Sequence, residues 1–241
     1  CGLFMNGGHG ERRLWKRSKE ELEIIREYSW LHTELIPYMY HYVVTAHEGG
    51  RRLQTPMDGK YHYMFGDDLL IAPIYKDELK NEIRLPEGKW RYWFNDTKII
   101  EGPITFEQDF PLDEYPVFIK DGAIIPMDIK RSYTGIGAPE DEGFLTFLVY
   151  PDLERQSFEV NREYEKSSTL KYEKESRILR ISLSGKICPH ILKIDMDHKP
   201  EKIELDGKEL VEGSDFEYES NLNKLNIRTT LYENGIYQIH L

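Results

Sequence analysis

Apolar residues recur at three- and four-residue steps along one stretch, through Leu22, Ile25, Tyr28 or Trp30, Leu31, Leu35 and Met39. That spacing puts them on one face of a long helix. Ser18 and Glu21 stand where a capping box closes a first turn, each side chain satisfying the other's orphan backbone donor. Pro37 has no amide hydrogen and its ring crowds the preceding turn, so the helix is expected to kink or split in two there. Gly49-Gly50 supplies the stop.

Beyond residue 60 the pattern becomes almost wholly that of strands. Leu69-Leu70-Ile71-Ala72-Pro73-Ile74 is a short run of buried type. Glu82-Ile83-Arg84-Leu85, a turn at Pro86-Glu87-Gly88 and a return through Lys89-Trp90-Arg91-Tyr92-Trp93-Phe94 predict a hairpin. A second is predicted from Tyr115-Pro116-Val117-Phe118-Ile119, a turn at Asp121-Gly122, and Ala123-Ile124-Ile125-Pro126. Residues 131–143, poor in apolar side chains and containing Pro139, read as a linker or long loop. Further strands are expected at 144–150, 157–160, 169–172, 178–183, 190–196, 202–205 and 236–241. Asp206-Gly207 is the clearest hairpin turn, since both positions tolerate positive φ, and Asn234-Gly235 is another. Short strands with turns at this spacing point to sandwiches rather than βαβ units.

Composition narrows the function classes. The 241 residues leave room for one large domain or two ordinary ones. A net charge of −11 repels a phosphate backbone, so nucleic acid is not an expected partner. No run approaches the roughly 18 apolar residues of a membrane span, so no membrane partner is expected. Cys1 and Cys188 make no disulfide framework, and no His or Cys spacing suits a metal, so neither metal nor cofactor is expected. The opening Cys1-Gly2-Leu3-Phe4 reads as the middle of a buried strand, so the chain is expected to be a piece of a longer protein. Any signal peptide would then lie outside it; a cytoplasmic location is slightly favoured, and oligomerisation stays open.

Four segments carry a resemblance. Leu35-Ile36-Pro37-Tyr38-Met39-Tyr40 with Ala46-His47-Glu48-Gly49-Gly50 resembles the last barrel helix of glycoside hydrolase family 31, the α-glucosidase and α-xylosidase family. Phe65-Gly66-Asp67-Asp68-Leu69-Leu70-Ile71-Ala72-Pro73-Ile74 is similar to its Gly-Asp-x-Leu-Leu-x-Ala-Pro segment. Leu85-Pro86-Glu87-Gly88-Lys89-Trp90-Arg91-Tyr92-Trp93 is similar to its Leu-Pro-x-Gly-x-Trp-x-x-Trp element. Pro116-Val117-Phe118-Ile119-Lys120-Asp121-Gly122-Ala123-Ile124-Ile125-Pro126 resembles its Pro-Val-Phe-x-x-Gly-x-Ile-Ile-Pro element. Each alone is weak; four in the family's order are specific, and they cover residues 1 to about 128.

The resemblance implies a mainly β chain: the end of a (β/α)8 barrel with one long helix over residues 1–60, a proximal C-terminal β-sandwich over 61–130, and a distal one over 131–241. It implies a parent that hydrolyses α-linked glucosides or xylosides with retention, and an oligosaccharide or glycoside as partner. Retention needs two carboxyl groups roughly 5–5.5 Å apart. The family's nucleophile and acid/base motifs are absent from this sequence, so no catalytic residue is assigned and the dyad is expected upstream of Cys1. Asp67-Asp68 is the tempting pair, but adjacent residues on a strand point to opposite sides, and in the family the pair is structural. If residues 1–6 end the eighth barrel strand, the Gly-rich loop after them opens on the active site; His9, and Arg12 by alignment with a family His, are the candidate substrate-binding residues. Against His9 stands a simple solvated loop residue, against Arg12 a surface or ion-pairing role. Trp90, Tyr92 and Trp93 could stack on sugar, although large aromatics more often fill cores. The alternative function is a stand-alone carbohydrate-binding or structural module without catalysis.

Overall fold

The computed structural model describes residues 14–76, 78, 80–152, 155–161, 166–186, 188–229 and 235–241. Two helices lead. Helix α1 (Lys19–Glu34) opens on the expected capping box: Ser18 Oγ accepts from the Glu21 amide at 3.1 Å, and the Ser18 amide donates to Glu21 Oε2 at 2.9 Å. Helix α2 (Ile36–His47) follows at once, with Pro37 in its first turn, where a missing amide hydrogen costs nothing. The one long helix is thus two, broken at Leu35, because the proline cannot continue the hydrogen-bond ladder of α1.

Three sheets follow. Sheet I contains β1 (Gln54–Pro56), β2 (Tyr63–Phe65), β3 (Leu69–Ile71), β4 (Lys80–Tyr92), β5 (Asn95–Asp109) and β6 (Val117–Lys120), in the order β1-β2-β3-β6-β4-β5. The hairpin expected about Pro86-Glu87-Gly88 does not form. Residues 80–92 run as one strand, and the turn lies after it, at Trp93-Phe94. Between Leu85, paired with Ile104, and Gly88, paired with Gly102, β4 carries one residue more than β5. This bulge switches the side-chain parity. As a result Ile83 and Leu85 before it, and Trp90 and Tyr92 after it, enter the same cluster with Leu70 and Phe118. A side chain at Gly102 would meet Pro86 O at 2.0 Å, so the bulge itself demands glycine there.

The remaining strands are β7 (Ile124–Met127), β8 (Leu145–Val149), β9 (Arg155–Val160), β10 (Ser168–Glu175), β11 (Ile178–Gly185), β12 (His190–Asp195), β13 (Lys202–Leu205), β14 (Lys208–Glu209), β15 (Phe216–Glu219), β16 (Lys224–Thr229) and β17 (Ile236–His240). Sheet II has the order β14-β13-β17-β11-β10-β9, and sheet III β15-β16-β12-β8-β7, with β12 and β8 parallel. Leu192, Ile194, Leu225 and Ile227 of sheet III share one buried core with Leu170, Tyr172, Ile181 and Ile239 of sheet II. The second predicted hairpin is also corrected: β6 joins sheet I while β7 pairs with β8 in sheet III, so Asp121-Gly122 is a crossing between sheets. Of the two readings of residues 131–143, the long loop holds, since they connect the paired strands β7 and β8. That loop is anchored rather than loose: Thr134 donates to the buried carboxylate of Glu34 at 2.8 Å. Asp206 (φ 52°) and Gly207 (φ 76°) form the expected tight turn between β13 and β14. The turn at Asn234-Gly235 lies partly outside the described residues.

Candidate functional site

Two constructions hold the sheets and helices together and carry the chain's buried chemistry, and a cleft lies beside the second. The first joins α2 to sheet I. Tyr38 and Tyr42, one helical turn apart, face inward. The Tyr38 hydroxyl donates to Phe65 O at 3.0 Å and accepts from the Asp68 amide at 3.1 Å; the Tyr42 hydroxyl accepts from the Asp67 amide at 2.9 Å. The tight turn between β2 and β3 is thereby hydrogen-bonded to the helix. Gly66 makes this approach possible, with φ of +68° and no Cβ where Tyr38 Oη lies. The two aspartates part, though in the turn between β2 and β3 and not by alternation along a strand: Asp67 pairs with Arg51 at the surface, whereas Asp68 is buried.

Burial pushes the Asp68 carboxyl from an ordinary 3.8 up to about 7, against the opposing influence of Lys120, Tyr38 and Arg51. The unfolded chain ionises this group near its ordinary value. Protonated Asp68 therefore stabilises the fold fully in acid, and the contribution drains away as pH rises through about 7. Over that window it is worth roughly 2–4 kcal/mol. Thermal unfolding from pH 4 to pH 8 should show the melting temperature falling, with a visibly flatter profile in Asp68→Asn. Parallel profiles would show that Asp68 ionises as it does in water.

The second construction fastens sheet I to sheet III. Arg91 on β4 is almost wholly buried, yet it meets Asp121 at 2.5 Å and Asp195 of β12 at 2.9 Å, and donates to Asp96 O at 2.8 Å. Lys224 of β16 reaches Asp195 at 2.9 Å and Asp96 at 2.7 Å, and the Tyr150 hydroxyl donates to Asp96 at 2.6 Å. Burial disfavours the charge on Arg91, but its carboxylate partners outweigh that and hold its pKa above the usual value. Burial likewise raises Asp195, with Lys224 and Arg91 opposing. Neither charge could be buried alone. The two sheets are locked in one arrangement because separating them would strip each ion of its partners.

The third feature lies beside this clamp: a cleft of about 620 Å³ between the outward face of sheet III, the loop after residue 134, and the rim of sheet I. Lys193, Asn226 and Arg228 rise from sheet III, and Trp93 and Asp96 border it from sheet I. The alternation that buries Leu225 and Ile227 against sheet II turns Lys224, Asn226 and Arg228 towards the cleft.

His9 and Arg12 lie outside the described residues, so neither is placed against any of these features. Trp90, 1% exposed with its indole donating to Pro86 O at 2.9 Å, is core and not a sugar platform. Tyr92 is buried beside it, and Trp93 points to the opposite side of sheet I. Among the described residues no cluster of His, Cys, Asp or Glu could hold a metal, and no helix is long and apolar enough to cross a membrane. The clamp was not singled out from the sequence, where its members stand at positions 91, 96, 121, 150, 195 and 224 with nothing in their spacing to connect them.

These features define a class: a mainly β region, braced by a helical hairpin, whose sheets are fixed to one another by buried polar contacts. Residues 39–125 match the glycosyl hydrolase family 31 C-terminal domain. A 1,6-alpha-glucosyltransferase from Sporosarcina globispora is 32% identical over 164 residues, 62% of this chain and 12% of that protein. An alpha-xylosidase from Emericella nidulans is 26% identical over 144 residues, 52% of this chain and 18% of its own. A mutant of the family 31 dextranase from Flavobacterium johnsoniae, solved with isomaltotriose, has the same fold, with a TM-score of 0.83 at 21% identity over 97% of this chain and 34% of that one. Over residues 39–125 the chain carries the family 31 C-terminal domain, and the likeness in fold to the dextranase extends over nearly the whole chain. The chain spans about an eighth of the glucosyltransferase and a third of the dextranase.

Proposed function

We propose that this chain is the C-terminal region of a retaining α-glycosidase acting on α-linked glucosides or xylosides. In this reading residues 1–60 complete the catalytic (β/α)8 barrel, residues 61–130 and 131–241 are the proximal and distal β-domains, and the nucleophile and acid/base are carried by the rest of the protein. His9 and Arg12 would then reach the sugar from the last barrel loop. The supporting observation is the match of residues 39–125 to a domain that closes the family's enzymes. Helix α2 suits the bracing role: Tyr38 and Tyr42 hold the sheets from one face, while Ile36 and Val43, seven residues apart on another, are each about half exposed.

Aryl α-glucosides and α-xylosides should be turned over by the whole protein with the anomeric configuration kept, and not by the 241-residue chain. Turnover by the chain alone, abolished by substituting one of its own carboxylates, would overturn the proposal. The bracing role makes a separate prediction for Ile36→Glu with Val43→Glu. In the chain alone these exposed changes should cost within about 0.5 kcal/mol each. In the whole protein they should lower activity and melting temperature together. Equal, small effects in both settings would place the barrel elsewhere.

A further inference from the structure

We propose that the cleft between sheets I and III is a binding site for a neutral oligosaccharide, seated against Trp93 and hydrogen-bonded to the outward face of β16. The proposal draws on the family reading only for the choice of probe sugar.

The volume, about 620 Å³, falls within the roughly 300–1,000 Å³ typical of small-molecule sites. Its polar groups are held in place by one another. Lys193 Nζ donates to Ile136 O at 2.5 Å, Asn226 Nδ2 to Glu219 Oε1 at 2.6 Å, and Arg228 contacts Asp141 at 3.3 Å. Side chains fixed in this way lose little freedom when a ligand arrives. They also decide its charge. Each cation of the cleft already answers a carboxylate, and Asp215 and Glu217 add acid on the same rim. An anionic ligand would meet net repulsion, and a cationic one would have to displace Lys193, Lys224 or Arg228 from its partner. A sugar needs neither. Each hydroxyl both donates and accepts, so it can join a completed network without bringing an unpaired charge into a half-buried site. Trp93 supplies the apolar surface that the C–H face of a pyranose ring needs.

The test is a titration of the 241-residue chain with maltotriose and isomaltotriose, followed by amide and indole NMR shifts. Saturable shifts should centre on Trp93, Lys193 and Asn226. Asn226→Leu, which keeps the side-chain size and removes the amide, should weaken binding about tenfold or more. Trp93→Ala should do the same. Tyr75→Ala, which alters the exposed Tyr61–Tyr75 pair, neither member of which lines the cleft, should leave it unchanged. Thermal unfolding of each variant separates loss of binding from loss of fold. If Trp93→Ala unfolds, the shift map and Asn226→Leu decide alone. No saturation at tens of millimolar sugar, shifts centred elsewhere, indifference to Asn226→Leu, or tighter binding of glucose 6-phosphate than of either trisaccharide would each overturn the proposal. The same variants in the whole protein keep the two readings apart. Hydrolysis retained with cleft binding absent sinks the cleft alone, whereas absent hydrolysis with cleft binding intact sinks the glycosidase reading alone.

Discussion

Arg91→Met should destabilise the chain by about 3–5 kcal/mol, the cost of stripping a buried charge network of one member. The guanidinium touches Asp121 and Asp195 and caps Asp96 O, and all of these contacts lie where water is nearly excluded. Without it Asp121 keeps no partner of comparable closeness, and Lys224 alone faces Asp195 and Asp96. The loss should be partly recovered by Asp121→Asn in the Arg91→Met background, because the uncompensated carboxylate is then gone. Denaturant melts of both single variants and the double give the coupling energy directly. A loss under 1 kcal/mol for Arg91→Met, or a double variant that simply adds the two single losses, would show that the clamp contributes no more than a surface ion pair.

Gly66→Ala should cost about 3 kcal/mol or more, from two sources that can be separated. The backbone at Gly66 has φ of +68°, which strains any L side chain. Beyond that, the new methyl would lie 2.1 Å from Tyr38 Oη and 2.5 Å from Tyr42 Cε2. Tyr38 has nowhere to go: it is fully buried, stacked on Phe158 with centroids 5.4 Å apart, and bonded to Phe65 O and the Asp68 amide. Gly207→Ala is the matched control, with φ of +76° and open space around its Cβ, so it should cost only about 1 kcal/mol. Tyr38→Phe should soften the penalty of Gly66→Ala by removing the colliding oxygen. Equal losses at Gly66 and Gly207 would mean that strain alone accounts for both.

Much of the local structure was legible in the residues. The capping box at Ser18 and Glu21, the break near Pro37 and the Asp206-Gly207 turn all follow from short-range chemistry, and each appears as read. Strands with one apolar face were found for the same reason. Strand β5 was not, because it lies at the edge of sheet I and exposes most of its length, so it needs little apolar patterning. Strands β15 and β16 were also missed, although Leu225 and Ile227 alternating with Lys224, Asn226 and Arg228 carried the signal for the second.

Two errors came from reading a turn wherever glycine followed proline or aspartate. At Pro86-Glu87-Gly88 the same residues make a bulge, since β5 continues alongside to pair with both halves of β4. At Asp121-Gly122 the chain does turn, but into a different sheet, because β6 has neighbours in β3 and β4 while β7 finds its own in β8. Local dihedral preference permits either outcome, and distant strands choose between them.

The sequence by itself determined the helix ends and the period of the strands, because each depends on residues adjacent or nearly so. Only the tertiary structure decided where Trp90 goes, how Arg91, Asp121, Asp195 and Lys224 meet, and that a polar cleft opens beside them. Those outcomes rest on contacts between segments up to 128 residues apart along the chain, and burial alone makes such contacts matter: the same charges in water would be worth little and would specify nothing.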